Sequence, residues 1–161
     1  VIDANELAKL WREHSARLLV IARAWGDLGE DGVQEAFVAL ATQQRLPDDP
    51  LAWLVRAMRN QMLQWYRSGK RRDERHKKSA DTTSWFCNQT KLEDGLDARL
   101  VTAWLSELAP GEREVIVLHL WGQMSFRQIA EVTESSSATV HRHYAQGLES
   151  LRKRANRQHV S

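Results

Sequence analysis

Apolar residues return along this chain at spacings of three and four, the period of one face of an α-helix, and the segments with a clear period all read as helices. In the first, Leu7, Leu10, Trp11, Leu18, Ile21, Ala22 and Trp25 share a face, with His14 where the stripe would otherwise be apolar. His14 has no partners at metal-ligand spacing and reads as a satisfied, half-buried imidazole. A second helix, from about Glu30 to Ala41, turns Val33, Ala36, Phe37 and Leu40 inward. Gly32 interrupts it, at a cost of about 1 kcal/mol relative to alanine. The third opens at Asp49-Pro50, a capping residue followed by a proline whose missing N–H costs nothing in the first turn. Leu51, Leu54, Val55, Met58, Met62 and Trp65 form its buried stripe.

Helical patterning resumes near Ala98, with Leu100, Val101, Trp104, Leu105 and Leu108 on one face. After Ala109-Pro110-Gly111 a short apolar helix, Val115 to Trp121, is expected to stop at Gly122 as its terminating glycine. From Ser125 to Leu151 the chain reads as two helices split by a polar break. Ser125 and Gln128 have the spacing of a capping box. Ile129, Ala130 and Val132 face inward, and Thr133 to Ser137 supply side chains that compete for backbone hydrogen bonds and so favour turns and caps. The helix that restarts carries Val140, Tyr144, Leu148 and Leu151 on one stripe and leaves Thr139, His141, Arg142, Ala145 and Gln146 on the other side. Such a helix suits the major groove of DNA, and Arg152, Lys153, Arg154 and Arg157 behind it suit phosphates. An ordinary helical hairpin in an all-α domain has the same pattern.

The fold class expected is therefore all-α, with two small helical domains joined by a flexible linker and a helix-turn-helix in the second. Residues 1–72 form the first, 73–97 the linker and 98–161 the second. The boundary is marked by the basic run Lys70 to Lys78, six basic residues against two acidic. Beyond it, Ser79 to Asp97 lacks an apolar period, with a hydrophobic tip at Trp85 and Phe86. Seven tryptophans in 161 residues fit two small domains that must bury large side chains to be stable. A base-stacking role for Trp65 or Trp85 stays open beside packing.

The net charge of +2 places any nucleic-acid affinity in local patches. The single cysteine, Cys87, excludes an internal disulfide framework and a multi-cysteine zinc site. No apolar run approaches a membrane span, and the N-terminus lacks a signal peptide's basic-then-apolar layout, so a cytoplasmic protein without membrane insertion is expected. Enzymatic chemistry has little support. The GDLGEDG stretch lacks the lysine and strand context of a phosphate loop, and His141 and His143 fall on different sides of their helix. Asp27, Glu30 and Asp31 are the carboxylates nearest to a Mg²⁺ site, and neither metal nor cofactor is expected.

Two surfaces remain open on the residues alone. Asp31, Gln34 and Glu35 form one polar patch on the second helix, either a solvated face or a docking surface for a basic partner. Arg56, Arg59, Asn60 and Arg67 lie off the buried stripe of the third, either solvated or facing nucleic acid.

The segments DGVQEAFVAL (Asp31 to Leu40), PLAWLVRAMRNQMLQWYRSGKRR (Pro50 to Arg72), LSELAPGEREVIVLHLWGQMSFRQIAEV (Leu105 to Val132) and ATVHRHYAQGLESLRKR (Ala138 to Arg154) together resemble bacterial extracytoplasmic-function (group IV) sigma factors. The resemblance spans nearly the whole chain and rests on the order and spacing of the motifs. It implies a promoter-specificity subunit that binds core RNA polymerase and promoter DNA and performs no catalysis. Asp31, Gln34 and Glu35 would then dock on the clamp helices of the largest polymerase subunit. The loop Thr42 to Asp49, with Gln43, Gln44 and Arg45, and the helix position of Asn60 would capture unpaired bases of the minus-ten element, beside Arg56, Arg67, Lys70, Arg71 and Arg72. Ser136, Ser137, Thr139, His141, Arg142 and Gln146 would read the minus-thirty-five element as duplex. An anti-sigma factor covering these surfaces is a further implied partner.

The division is physically sensible. Duplex sequence is legible in the major groove, whereas unpaired bases need pockets and backbone charge. Two weak readers on one linker raise each other's effective concentration. The chain also departs from the family. Glu134 and Ser135 stand where a turn glycine and an apolar residue are usual, so the turn geometry is the expected point of difference. Gln64 replaces a frequent aspartate. His141 and His143 replace common basic residues, and because an imidazole is not a permanent cation, base hydrogen bonding is expected at His141 in preference to phosphate clamping.

Overall fold

The computed structural model describes residues 1–26, 28–69 and 98–160, the last segment without the side chains of 98–102 and 160. Asp27, the basic run from Lys70, the linker and Trp85, Phe86 and Cys87 lie outside these residues, as does the domain limit expected at 72. The chain divides into two units, residues 1–82 and 83–161, and all regular structure among the described residues is helical.

In the first unit α1 (Ala4–Arg23), α2 (Gly29–Ala41) and α3 (Pro50–Ser68) pack pairwise on one another. Leu10, Leu18, Ile21 and Ala22 of α1 meet Val33, Ala36, Phe37 and Leu40 of α2 and Leu54, Val55, Met58, Met62 and Trp65 of α3, all buried. Trp11 belongs to the rim and not to this core, at 41% exposed, with its ring in T-shaped contact with Phe37 at 4.9 Å. His14 is half-buried as expected, but Nδ1 is buried without a hydrogen-bond partner and Nε2 stands 3.9 Å from the Glu13 carboxylate. It is therefore only partly satisfied.

Gly32 is a packing device. A Cβ there would lie 3.0 Å from both Cγ and Sδ of Met62, so its absence lets α2 approach α3. The third helix begins as its sequence predicts, with Asp49 Oδ1 accepting the Ala52 N–H at 3.1 Å and Pro50 in the first turn. It ends at Gly69, whose φ of 80° is left-handed backbone that glycine adopts without steric cost. Between α2 and α3, Thr42 closes the second helix by donating its hydroxyl to Ala39 O at 2.7 Å.

In the second unit α4 (Ala98–Glu107), α5 (Pro110–Leu120), α6 (Phe126–Thr133) and α7 (Ser137–Val160) surround a core of Leu105, Leu108, Val115, Ile116, Val117, Leu118, Met124, Ile129, Ala130, Val132 and Val140. One expectation is corrected. The helix expected to begin at Val115 starts five residues earlier, with Ala109 at its N-cap and Pro110 as its first residue. At its other end the helix stops before Gly122 as expected, with Trp121 at its C-cap, and the left-handed residue of the turn is Gln123, φ 54°. The turn is held by Trp121 and Gly122 donating to Val117 O and by Met124 donating to Leu118 O.

Gly147, in the middle of α7, is buried against α5, and a Cβ there would fall 2.4 Å from Cδ1 of Ile116. The two helices can lie this close because that position has no side chain. No described helix is long and apolar enough to cross a membrane, and no group of three or more His, Cys, Asp or Glu among the described residues is placed to hold a metal ion.

Candidate nucleic-acid interface

The helix-turn-helix is built from its caps inward. Ser125 Oγ accepts the Gln128 N–H at 3.1 Å and Gln128 Oε1 accepts the Ser125 N–H at 2.9 Å, so the capping box is complete and fixes the first turn of α6. Val132 and Ile129 are buried beneath it. At the other end Glu134 adopts φ 54°, ψ 40°, Ser135 donates to Ala130 O at 3.0 Å and Glu134 donates to Glu131 O at 3.4 Å. These are the paired bonds that close a helix around one left-handed residue. The turn geometry thus survives without glycine, at the steric cost a side chain pays in that conformation, about 1–2 kcal/mol.

Thr133 and Ser135 brace the turn. The Thr133 hydroxyl donates to Ile129 O at 2.7 Å and lies 2.7 Å from Ser135 Oγ. Ser136 starts the next helix: its Oγ accepts the Thr139 N–H at 3.1 Å and pairs with Thr139 Oγ1 at 2.9 Å, while its carbonyl accepts the Val140 N–H. Two of the expected DNA contacts, Ser136 and Thr139, are therefore engaged with each other at the helix start.

Beyond the cap, Val140 is buried at 1% exposure and locks α7 onto the core. Ser137, His141, Arg142, Ala145 and Gln146 are exposed and Thr139 is half-exposed, so the residues expected to read DNA share the open side of one helix. His143 turns away: its ring packs where a Cβ on Gly111 would stand, 2.7 Å from Cε1. His141 keeps its ring in T-shaped contact with Phe126, centroids 4.4 Å apart at 73°.

The basic tail is partly spoken for. Arg154 forms an ion pair with Glu107 of α4, and Arg152 reaches Glu149 at 3.4 Å, so both of these cations expected on phosphates are engaged within the protein. Lys153 and Arg157 are exposed.

Residues 98–151 match the family model for Sigma-70, region 4. The second unit carries a sigma-70 region 4 domain, and with it a DNA-binding role in transcription initiation. The match runs from the start of α4 through most of α7 and includes the whole helix-turn-helix. No curated protein and no solved structure matches the chain.

The region 4 domain accounts for the second unit only. In the first, Gln34 and Glu35 are exposed and Asp31 half-exposed, side by side along α2. Val38 extends the same stripe at 60% exposed. Its spacing, seven residues after Asp31, four after Gln34 and three after Glu35, was visible in the sequence, but an apolar residue near an apolar stripe draws no notice until its exposure is known.

Arg56, Asn60 and Arg67 are exposed on α3, Gln44 and Arg45 are exposed in the loop before it, and Gln43 is half-buried with its amide donating to Ala39 O at 3.4 Å. Lys70, Arg71 and Arg72 lie outside the described residues. Trp65 is buried at 9% and belongs to the core, which removes it as a base-stacking platform; its neighbour Tyr66 is the exposed aromatic, at 61%.

Proposed function

We propose that this protein is an extracytoplasmic-function sigma factor, the promoter-specificity subunit that binds core RNA polymerase and directs initiation at promoters with minus-ten and minus-thirty-five elements. The observation that carries the reading is the region 4 match lying on a fully capped helix-turn-helix whose second helix holds Thr139, His141, Arg142 and Gln146 toward solvent. These side chains, with Ser136 and Ser137, read the minus-thirty-five duplex in the major groove. Exposed Gln44 and Arg45, with Gln43, Asn60, Arg56 and Arg67 and the basic residues Lys70, Arg71 and Arg72, hold the separated minus-ten strand. Asp31, Gln34, Glu35 and Val38 dock on the polymerase clamp, an acidic stripe with one apolar contact meeting a basic partner. An anti-sigma factor that covers these surfaces regulates the protein from the cytoplasm, where it acts.

The test is reconstitution. Purified protein is expected to form a complex with a cognate core polymerase and to start transcription at its own promoter, and failure on both counts would sink the proposal. A second reading, a helix-turn-helix regulator that acts without replacing another sigma subunit, is favoured by one observation: the family match stops short of the first unit. The α2 stripe separates the two readings, because a regulator of that kind does not need it.

A further inference from the structure

Four rings meet at the front of the second unit, and one of them belongs to a proposed reader of DNA. Phe126, the first residue of α6, touches the other three: His119 at 4.7 Å, Tyr144 at 4.9 Å and His141 at 4.4 Å between centroids. His119 and Tyr144 close the ring of contacts edge to face at 4.9 Å. This cluster is anchored at two points. The Nδ1 of His119 stands 2.9 Å from the carbonyl of buried Met124, and the capping box on either side of Phe126 fixes the backbone from which its ring projects.

His141 is the outer member. Its side chain is exposed, and its ring stands at 73° to that of Phe126 in a T-shaped contact. An exposed imidazole with no neighbour samples several rotamers and loses that freedom on binding, whereas a ring held edge-to-face on a fixed aromatic is already aimed. Aim matters for base readout, where one N–H must meet one acceptor at hydrogen-bond distance. Both purines offer N7 in the major groove, and neither pyrimidine has that atom.

We propose that Phe126 is a positioning residue that aims the imidazole of His141 at a purine N7 in the minus-thirty-five element. This rests on the sigma-factor reading above and assigns one base preference of its duplex reader to a contact outside the recognition helix. Phe126 does not touch DNA in this scheme. It acts through His141, so its loss is felt at the single base pair that His141 reads.

The experiment selects promoters with holoenzyme, assembled from the full chain and core polymerase, out of duplex libraries randomised across the minus-thirty-five region. The wild type is expected to enrich a purine at one position that His141→Ala makes indifferent. Phe126→Leu should reduce enrichment at that same position at least fivefold and leave the other positions selected, which shows that the domain is still folded. Phe126→Tyr keeps the ring and should restore the preference. A spectroscopic readout accompanies selection: in the free full chain, the ring protons of His141 should lose their ring-current shift in Phe126→Leu and keep it in Phe126→Tyr. Undiminished purine preference in Phe126→Leu, or an equal loss at every position, overturns the proposal and leaves the sigma reading intact. Failure of the wild type to enrich any upstream element overturns both.

Discussion

At the scale of single residues, two positions are decided by backbone geometry and by close packing. Glu134 holds a left-handed conformation that a side chain adopts only at a cost, because the hydrogen bonds closing α6 require it there. Glu134→Gly is accordingly expected to stabilise the second unit by about 1 kcal/mol, less whatever glycine loses through greater freedom in the unfolded chain. Hydrogen exchange of the α6 and α7 amides should slow by up to about fivefold. Gly147 behaves in the opposite way. Propensity alone says that alanine in mid-helix gains about 1 kcal/mol, yet its Cβ would stand 2.4 Å from Ile116 Cδ1, and Ile116 is fully buried. Gly147→Ala should therefore destabilise by about 1–3 kcal/mol, the range for overpacking a filled core. Adding Ile116→Val removes the clashing methyl, and the double variant should recover most of the loss in denaturant unfolding. Additive effects of the two substitutions would show that the contact is not the cause.

At the scale of elements, each helix of the reader depends on a cap as much as on its buried stripe. Ser136 is both the cap of α7 and a proposed DNA contact, and its Oγ is already engaged by the N–H and hydroxyl of Thr139. Ser136→Ala is expected to cost about 1 kcal/mol of local stability through loss of the cap. Ser136→Asp retains the cap and places a negative charge at the helix N-terminus, where the dipole favours it but phosphate does not. If capping is the chief role, exchange protection of the α7 amides should be lost in the alanine variant and kept in the aspartate one. DNA affinity should fall in both. Equal protection in wild type and Ser136→Ala would rule the cap out as a source of stability. The second helix shows the same dependence on neighbours, since Gly32, a poor helix former, is tolerated where Met62 and Met58 crowd against it.

At the scale of the whole molecule, the chain is two units with separate cores, and the proposed function divides between them. Asp31→Lys combined with Glu35→Lys reverses charge on an exposed stripe away from the core of the first unit, so both units should remain folded. The double variant is expected to lose co-purification with core polymerase while keeping the sequence preference of its helix-turn-helix for duplex DNA. Retained polymerase binding would move the docking surface elsewhere. Unchanged promoter regulation in cells without polymerase binding would favour the stand-alone regulator. A rise in salt should weaken the complex with DNA, steeply if phosphates are neutralised by several cations; Arg152 and Arg154, engaged with Glu149 and Glu107, should contribute less to that slope than Lys153.

The sequence by itself determined the helices of the first unit, the Asp49 and Ser125 caps and the inward faces of α2, α3 and α6, because these follow from local periodicity and from side chains that satisfy nearby backbone groups. The region 4 half of the resemblance was also legible there, in motif order across residues that the family model matches. Local rules misplaced the start of α5, which begins at Pro110 and not at Val115, and did not show that Gln123 carries the left-handed backbone of the turn after it. Only tertiary structure decided which side chains near a stripe are buried and which stand on the rim, as with Trp11, Val38, Trp65 and Tyr66. It alone also paired Arg154 with Glu107, turned His143 toward Gly111, set Gly147 against Ile116 and seated His141 on Phe126. Those relations join residues far apart in the chain, and their energies depend on distances that spacing along the sequence does not encode.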